Sequence, residues 1–318
     1  MKKTVLITGG NGFIGKCLTD VLLQQGYKVR IVSRRTPKTQ PVNPNVTVVQ
    51  ANYQDVASLK QVMKGCSIVY HLAAAIFGFK YEDFEKANAQ ASRNMVAAAN
   101  ETEGLERFIY MSSLAASGYA PDKNHPRVET DTPQPISDYG ITKLAGEEAL
   151  KALDPRIVWT IFRAPIVYGG RDSGVSKIAS WVKRGLMVNT SGEGLFSFVY
   201  VQDLVKALVL ALTLKGTENQ IFFVCEEQNY LWPDFIEKMA RAMKVRRPFM
   251  PQAPNFLLQL AAACYSLCAR VTGTQPALNY DKIKEAKIPG HWICNSDKWR
   301  KLSGQKFTPL EEGLKKSF

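Results

Sequence analysis

The chain contains few of the residues that build metal sites and disulfide frameworks. Its 318 residues include three histidines and six cysteines. The cysteines are scattered, none of them forms a Cys-x-x-Cys pair, and few histidines stand near them. This pattern predicts neither a zinc site nor a set of disulfide bonds. A reducing compartment is the simplest location for such a chain, so we expect a cytoplasmic protein without a metal.

A dense block of basic residues is also missing, although the chain is strongly basic. Lys and Arg total 41 against 28 Asp and Glu, which gives a formal net charge of +13. Charge of this sign attracts nucleic acids, acidic membranes or anionic small molecules. Because no basic run is interleaved with aromatic residues, we expect no nucleic-acid partner. An anionic cofactor or substrate stays open, and peripheral contact with an acidic membrane is the less favoured alternative.

The sequence lacks an apolar run long enough to predict a membrane-spanning helix. Its start resembles a signal peptide, but the apolar run ends at Ile7 and is interpreted as a first strand. Residues 255–269 are uncharged, yet a spanning helix needs roughly 20 apolar residues. We interpret this segment as a buried helix of the C-terminal region. A lid over an apolar substrate and a helix lying on a membrane are the alternatives.

A glycine-rich turn stands between the first predicted strand and a helical pattern. The apolar residues 5–7 lead into Thr8-Gly-Gly-Asn-Gly-Phe-Ile-Gly15. Gly9, Gly12 and Gly15 allow a tight turn, let the backbone approach a pyrophosphate and let the helix pack closely on the strand. The N-terminus of that helix then faces the phosphates. We therefore predict a dinucleotide-binding turn.

A second motif pairs a tyrosine with a lysine four residues later, Tyr139 and Lys143, downstream of Ser112 and Ser113. On a helix the two side chains lie on one face, so the ammonium would lower the pKa of the phenol from about 10 toward neutrality. Ser113 would hold a substrate oxygen near the phenol while a nicotinamide exchanges a hydride with the carbon. Ser112 is the competing serine, and His71 is interpreted as structural.

Further stretches follow these motifs in a fixed order. They are His71-Leu-Ala-Ala74, Asn88, Phe108-Ile-Tyr-Met-Ser-Ser113, Arg163-Ala-Pro-Ile-Val-Tyr-Gly169 and Phe198-Val-Tyr-Val-Gln-Asp203. With them the chain resembles, over nearly its whole length, the extended short-chain dehydrogenase/reductases of the NAD-dependent epimerase/dehydratase family. In character it is closest to the 3β-hydroxysteroid dehydrogenase and dihydroflavonol reductase branch. The resemblance implies that Tyr139 is the general acid/base, that Lys143 lowers its pKa and binds the nicotinamide ribose, and that Ser113 orients the substrate oxygen.

Short β-rich runs alternate with helical patterns along the first half of the chain. We predict strands at 28–32, 46–50, 68–71, 107–111 and 157–162, helices near 14–25, 55–64 and 84–100, and a long loop over 114–137. The alternation predicts an α/β fold with a doubly wound parallel sheet, the Rossmann architecture. We assign residues 1–168 to an NAD(P)-binding domain to which the chain returns at 195–225. Residues 169–318 are assigned mainly to a smaller C-terminal substrate lobe.

The end of the second predicted strand bears on the choice of nicotinamide cofactor. Ser33-Arg34-Arg35 stands where an acidic residue would hold a ribose 2′-hydroxyl and an arginine would bind a 2′-phosphate. We therefore favour NADP(H), with Arg34 on the phosphate, over NAD(H). Asn52 stands where the family often has an Asp near the adenine. The other expected cofactor contacts, besides the glycines, Tyr139 and Lys143, are Phe13, Ile14, Leu72, Ala73, Ala74, Pro165 and Val167.

The substrate is predicted from one departure from the family pattern. Phe196 stands near the position where sugar-nucleotide enzymes usually carry an Arg that binds the diphosphate, although Arg171 or Lys177 could compensate. We therefore predict interconversion of a carbonyl and a secondary alcohol on a neutral or lipophilic small molecule. The alternatives are a nucleotide-sugar epimerase or dehydratase and, from another class, a non-catalytic cofactor sensor. Relatives are often dimers, so we expect a homodimer through residues 84–100 and the Tyr139 helix.

Overall fold

A parallel sheet of seven strands organises the protein. The computed structural model describes residues 3–36, 39–78, 80–170, 174–185, 187, 193–251, 284–285 and 290–318. The strands are β1 (Thr4–Thr8), β2 (Lys28–Ser33), β3 (Val46–Gln50), β4 (Ile68–His71), β5 (Arg107–Ser113), β6 (Val158–Ala164), β7 (Ile166–Tyr168), β8 (Leu195–Phe196), β9 (Phe198–Tyr200), β10 (Gln220–Phe223) and β11 (Tyr230–Leu231). The order in the large sheet is β3-β2-β1-β4-β5-β6-β10, and every neighbouring pair is parallel.

Helices connect these strands and cover the sheet. They are α1 (Phe13–Gln24), α2 (Val56–Met63), α3 (Tyr81–Phe84), α4 (Ala91–Asn100), α5 (Leu114–Ser117), α6 (Asp138–Ala149), α7 (Gly174–Lys183), α8 (Val201–Leu210), α9 (Trp232–Ala242), α10 (Asp297–Ser303) and α11 (Leu310–Ser317). A π-helical turn, Glu85–Gln90, joins α3 to α4, and a 3₁₀ turn, Leu150–Ala152, follows α6. The predicted doubly wound parallel sheet is therefore confirmed.

Strand β1 shows why the sheet has two covered faces. Its three apolar residues are fully buried, and successive side chains of a strand point to opposite faces. Val5 and Ile7 pack in the core that contains Leu18 of α1, whereas Leu6 packs in the core that contains Leu59 of α2. A strand buried on both faces is uniformly apolar rather than alternating. This explains the run of apolar residues directly before the glycine turn.

The strand order reverses between β1 and β4. The chain runs from β1 outward to β3 and then returns to β4 on the other side of β1. Ligands of such sheets bind at the carboxyl ends of the strands around this reversal. Apart from those on α6 and in β7, the predicted site residues either end a strand, as Ser33 and Ser113 do, or follow β1, β2, β3, β4 or β6.

Several boundaries differ from the sequence prediction, those of β2 and β6 by one or two residues. Strand β5 continues through Ser113, two residues beyond its predicted end. The predicted loop begins with a helical turn, α5, because the Ser113 side chain accepts a hydrogen bond from the Ala115 N–H and caps that turn. The predicted helix over 84–100 is interrupted by the π-helical turn Glu85–Gln90. Residues 255–269 lie outside the described residues. Among the described residues, no helix is long and apolar enough to cross a membrane.

Candidate active site

The glycine turn after β1 has no room for side chains. A Cβ added to Gly15 would lie 2.3 Å from the Gly9 carbonyl oxygen, and one added to Gly9 would lie 2.9 Å from the Ala73 backbone nitrogen. Gly9 also has a φ of +72°, which L residues with side chains rarely adopt. The Gly12 N–H donates to the Gly9 carbonyl at 2.9 Å and closes the turn. The turn is thus formed by backbone alone and packs on the loop that follows β4.

The first turn of α1 fits an anionic group. Gly12 is its N-cap, no side chain caps the helix, and no acidic residue lies in the first turn. The N-terminal N–H groups and the helix dipole therefore favour a phosphate at this end. Together with the space left by the glycines, this arrangement fits the pyrophosphate of a nicotinamide dinucleotide.

A groove bordered by the Arg35 side chain lies at the end of β2. The groove has a volume of about 380 Å³, and Asn11, Ser33 and Arg35 are among its lining residues. The Ser33 hydroxyl donates to the Arg35 carbonyl at 2.8 Å, so it shapes the loop. Arg34 is exposed, and its charge acts on the pKa of Tyr53, opposing the rise that burial causes. Arg35 therefore lines the groove, whereas Arg34 lies near Tyr53. The adjacency of the two arginines in the sequence does not reveal this difference.

Asn52 follows β3 and is exposed. Its side-chain oxygen accepts a hydrogen bond from the Gln54 N–H at 3.0 Å, and its own N–H donates to the Ser58 hydroxyl at 3.1 Å. These bonds form a local turn that leads into α2. Asn52 thus has a clear structural use at the position predicted to contact the adenine.

The remaining predicted cofactor contacts line the same edge of the sheet. Ala73 donates its backbone N–H to the Thr8 hydroxyl at 3.1 Å, which ties the β4 loop to the glycine turn. Ala74 is exposed beside it, and Pro165 separates β6 from β7. The other contacts are partly buried apolar residues that pack on the main core, namely Phe13, Ile14, Leu72 and Val167.

Ser113 and Tyr139 meet where β5 ends and α6 begins. Their hydroxyls are hydrogen-bonded to each other. Ser113 is the last residue of β5, and Tyr139 is the second residue of α6. Gly140 allows this close approach, because a Cβ there would lie 2.3 Å from the Ala115 carbonyl oxygen. The two hydroxyls can therefore address one substrate oxygen.

Lys143 lies beneath this pair and is 1% exposed. Its ammonium donates to the Met111 carbonyl at 2.6 Å and lies 4.0 Å from the centroid of the Tyr110 ring. Burial lowers the pKa of Lys143 to about 7, and Glu147 opposes that change. Burial likewise raises the pKa of Tyr139 to about 12, although the Ser113 hydrogen bond opposes it. The expected lowering of the phenol pKa by the lysine is therefore wrong for this structure, because desolvation outweighs it.

The two serines of β5 have different partners on α6, because Ser113 lies beside Tyr139 in the first turn of the helix and Ser112 lies beside Glu147 two turns further on. The Ser112 hydroxyl donates to the Glu147 carboxylate, and Ser112 is buried. Glu147 in turn binds the guanidinium of Arg163 on β6, with an Nη2–Oε2 distance of 2.7 Å. Ser112 is therefore bound away from Tyr139, whereas Ser113 faces it.

Two buried polar residues hold the β4 loop and α6 in place. His71 contacts the Thr8 hydroxyl at 2.7 Å and the Ser92 hydroxyl at 3.2 Å, and burial lowers its pKa to about 3. It is a neutral structural residue in this arrangement. Asn88, in the π-helical turn, accepts from the Ala75 N–H at 2.8 Å and donates to the Thr142 hydroxyl at 3.1 Å.

The C-terminal region brings a carboxylate to the start of α6. The Ser137 hydroxyl donates to Glu285 at 2.6 Å and accepts from the Gly140 N–H at 3.0 Å. The charge of Glu285 contributes to the raised pKa of Tyr139. The Trp292 indole N–H donates to the Glu285 carbonyl at 3.2 Å. A residue far along the chain thus acts on the proposed catalytic phenol.

An aromatic cluster occupies the region where an arginine was missing from the sequence pattern. The centroid of the Phe196 ring lies 5.7 Å from that of the Trp232 ring, and the backbone of Phe196 forms an isolated β-bridge with the backbone of Trp292. Trp292 also packs on the core cluster that contains Leu114, the residue after Ser113. Arg171 and the side chain of Lys177, predicted as substitutes for the missing arginine, lie outside the described residues.

Sequence reasoning missed several of these residues. Glu147 was visible, because it stands four residues after Lys143 and therefore on the same face of α6. The Met111 carbonyl and Glu285 gave no signal, since only the folded chain brings them to α6. Tyr53 gave none either, because its proximity to Arg34 depends on the pairing of β2 with β3.

Known proteins resemble this chain in sequence and in fold. A ceramide reductase of Caulobacter vibrioides is 26% identical over 322 residues, which cover 99% of this chain and 90% of the relative. An uncharacterized protein of Sinorhizobium fredii is 35% identical over 220 residues, 67% of this chain, and the chain spans 54% of its length. The structure of a UDP-glucose 4-epimerase from Thermotoga maritima has the same fold, with a TM-score of 0.77, 24% identity and coverage of 99% and 97% of the two chains.

The family assignment rests on the part of the chain that contains the glycine turn, α6 and the whole seven-stranded sheet. The model of the NAD-dependent epimerase/dehydratase family matches residues 5–225. The chain is therefore an enzyme of the NAD-dependent oxidoreductase and epimerase class and, as its sequence motifs predicted, belongs to the NAD-dependent epimerase/dehydratase family.

Proposed function

We propose that the protein reduces a carbonyl group of a neutral or lipophilic substrate to a secondary alcohol with a nicotinamide cofactor. The observation that carries this proposal is the hydrogen bond between the Ser113 and Tyr139 hydroxyls at the carboxyl edge of the sheet. Lys143 lies on the same face of α6, one turn further on. This set of groups can bind and protonate one oxygen atom.

In the proposed mechanism Ser113 holds the substrate oxygen and Tyr139 donates a proton to it. A phenol whose pKa is raised to about 12 is protonated at neutral pH and is ready to act as the acid. When bound, the nicotinamide supplies the hydride to the carbonyl carbon. Lys143 would bind the nicotinamide ribose and stabilise the phenolate that remains after proton transfer.

The aromatic cluster supports a lipophilic substrate. The Phe196 and Trp232 rings, partly buried against the core that contains Phe235, stand where a diphosphate would need a guanidinium. A relative that aligns over nearly the whole chain carries the name ceramide reductase, which denotes a lipid substrate. We therefore place the substrate among lipophilic ketones rather than nucleotide sugars.

For the cofactor we propose NADP(H), bound through the glycine turn, with Arg34 at the 2′-phosphate and Arg35 beside it. We retain the division at residue 168 and the homodimer through α6 and the 84–100 region as parts of the proposal. The cytoplasmic location belongs to it as well and rests on the scattered cysteines.

A panel of substrates with both reduced cofactors tests the proposal. We expect consumption of NADPH with long-chain or polycyclic ketones and none with UDP-sugars. Interconversion of UDP-sugars without net cofactor consumption would instead establish an epimerase. Binding of cofactor without turnover of any substrate, unchanged in Tyr139→Phe, would establish a non-catalytic sensor.

Calorimetric titration with NADP⁺ and NAD⁺ tests the cofactor preference. Arg34→Ala should weaken NADP⁺ binding by roughly tenfold or more and leave NAD⁺ binding nearly unchanged, because a charge-assisted hydrogen bond contributes about 1.5–3 kcal/mol. Arg241→Ala is the control for the lost charge, because Arg241 is an exposed arginine of α9 that pairs with Glu237. Equal loss for both cofactors in Arg34→Ala would contradict the assignment.

A further inference from the structure

The carboxylate of Glu147 is buried behind the proposed catalytic face of α6. Glu147 is 3% exposed, and its partner Arg163 is 1% exposed. The Arg163 guanidinium donates to both carboxylate oxygens, with an Nε–Oε1 distance of 3.0 Å and an Nη2–Oε2 distance of 2.7 Å. Burying such an ion pair removes two charges from water, so its net gain in stability is small. A small gain in stability leaves room for a second role of the pair.

Three consecutive residues of β5 bind three residues on one face of α6. The pairs are Met111 with Lys143, Ser112 with Glu147 and Ser113 with Tyr139. The helix residues are spaced by four, so they follow one another along the same side. Glu147 is the last of them, and its second partner, Arg163, belongs to β6. The ion pair thus fixes the proposed catalytic face of α6 against two strands at once.

We propose that Glu147 is a positioning residue for the reaction, acting through Lys143: its carboxylate, held by Ser112 and Arg163, keeps the buried ammonium charged and aligned with Tyr139. This role rests on the proposed function, in which Lys143 binds the nicotinamide ribose. Glu147 itself touches neither substrate nor cofactor. Met111 supplies only a carbonyl to the ammonium, so Glu147 provides the negative charge on that face.

The charged and polar groups around Lys143 and Glu147 come from four elements. Lys143 lies on α6 itself with Glu147, Tyr110 and Ser112 face Glu147 from β5, Arg163 faces it from β6, and His71 faces Lys143 from β4. Arg127 and Glu129 lie beyond Arg163, whose charge acts on the pKa of both. Burial lowers the pKa of Lys143, and the charge of Glu147 opposes this. Removing the carboxylate should therefore lower the lysine pKa further.

The test is calorimetric titration with NADP⁺ over a range of pH. Only a charged Lys143 can donate three hydrogen bonds, so affinity should fall as pH rises through the lysine pKa. In Glu147→Gln we expect this fall to begin about one pH unit lower, which makes binding roughly tenfold weaker above the inflection. Glu148→Gln is the matched control, because this neighbouring glutamate is exposed and pairs with Lys151. Glu148→Gln should leave the pH dependence of NADP⁺ affinity unchanged. Glu147→Asp keeps the charge, so it should retain most of the wild-type affinity above the inflection.

The outcomes separate this inference from the proposed function. If the wild-type profile has an inflection that Lys143→Met removes, but Glu147→Gln behaves like Glu148→Gln, the positioning role is wrong and the role of Lys143 stands. If the wild type binds NADP⁺ without such an inflection, the proposed role of Lys143 itself is wrong. Should Glu147→Gln fail to fold, Glu147→Gln combined with Arg163→Met removes both buried charges, and its fall in affinity must still begin at a lower pH than in the wild type, because Glu147 is the charge that acts on Lys143.

Discussion

The glycine turn after β1 and the Tyr139 face of α6 lie at the same edge of the sheet but consist of different parts of the chain. The turn offers backbone N–H groups and space, and a Cβ at Gly15 would lie 2.3 Å from the Gly9 carbonyl oxygen. The face of α6 offers side chains, and each of them depends on a partner from β5 or β6. A backbone site is thus defined by nearby residues, whereas a side-chain site is defined by tertiary neighbours.

Breaking the buried ion pair should have the largest effect on the side-chain region. Glu147→Ala leaves the Arg163 guanidinium buried without its carboxylate, and we expect a loss of about 3–5 kcal/mol in the free energy of unfolding. Glu148→Ala removes an exposed glutamate from the same helix and should change it by less than about 0.5 kcal/mol. Urea denaturation of both variants measures the difference. Equal stabilities would show that the pair does not hold α6.

The two serines of β5 provide the next comparison. Ser113→Ala removes the hydroxyl that binds Tyr139, and we expect a decrease in kcat of about 10²-fold, since a lost hydrogen-bond donor in an active site costs that much. Ser112→Ala removes a hydroxyl that binds Glu147, and we expect a loss of rate below about tenfold together with lower stability. Steady-state rates of NADPH consumption and thermal melts separate the two. A larger rate loss in Ser112→Ala would indicate that Ser112, rather than Ser113, orients the substrate oxygen.

These comparisons show how far the sequence predicts the fold and the site. The bounds of β3 and β4 were predicted as observed, because β4 is a short buried run and β3, the edge strand, is a short run of β-branched residues. The glycine turn was recognisable because only glycine fits it. The pKa of Tyr139 was predicted in the wrong direction, since the charge of Lys143 was considered without the desolvation that burial imposes. Glu285 could not be predicted, because its position beside α6 depends on the path of the whole C-terminal region.

The backbone region is tested by two glycines. Gly15→Ala forces a Cβ against the Gly9 carbonyl, and we expect about 1–3 kcal/mol of destabilisation together with roughly tenfold weaker NADP⁺ binding, because the N-terminus of α1 must move. Gly65→Ala meets no atom within 4 Å but keeps a φ of +76°, so it should cost about 1–2 kcal/mol and leave binding unchanged. Calorimetry and denaturation report both quantities. Undiminished binding in Gly15→Ala would place the cofactor elsewhere.

The smallest predicted effect concerns the pH dependence of Tyr139. The charge of Glu285 contributes to the raised phenol pKa, so Glu285→Gln should lower that pKa by less than about one unit. Because its pKa is raised to about 12, the Tyr139 phenol of the folded protein ionises above pH 10 and is half ionised near pH 12. Ultraviolet difference titration against Tyr139→Phe isolates this group. A higher phenol pKa in Glu285→Gln would contradict this prediction.

The most direct measurement of the central claim follows the label from NADPH deuterated on its transferring carbon. Wild-type protein and Tyr139→Phe are each incubated with a lipophilic ketone, and the product alcohol is analysed by mass spectrometry. We predict deuterium on the alcohol carbon in the wild type and a rate about 10²–10⁴-fold lower in Tyr139→Phe, the usual contribution of a general acid. Deuterated alcohol formed at the same rate by both proteins would contradict the account.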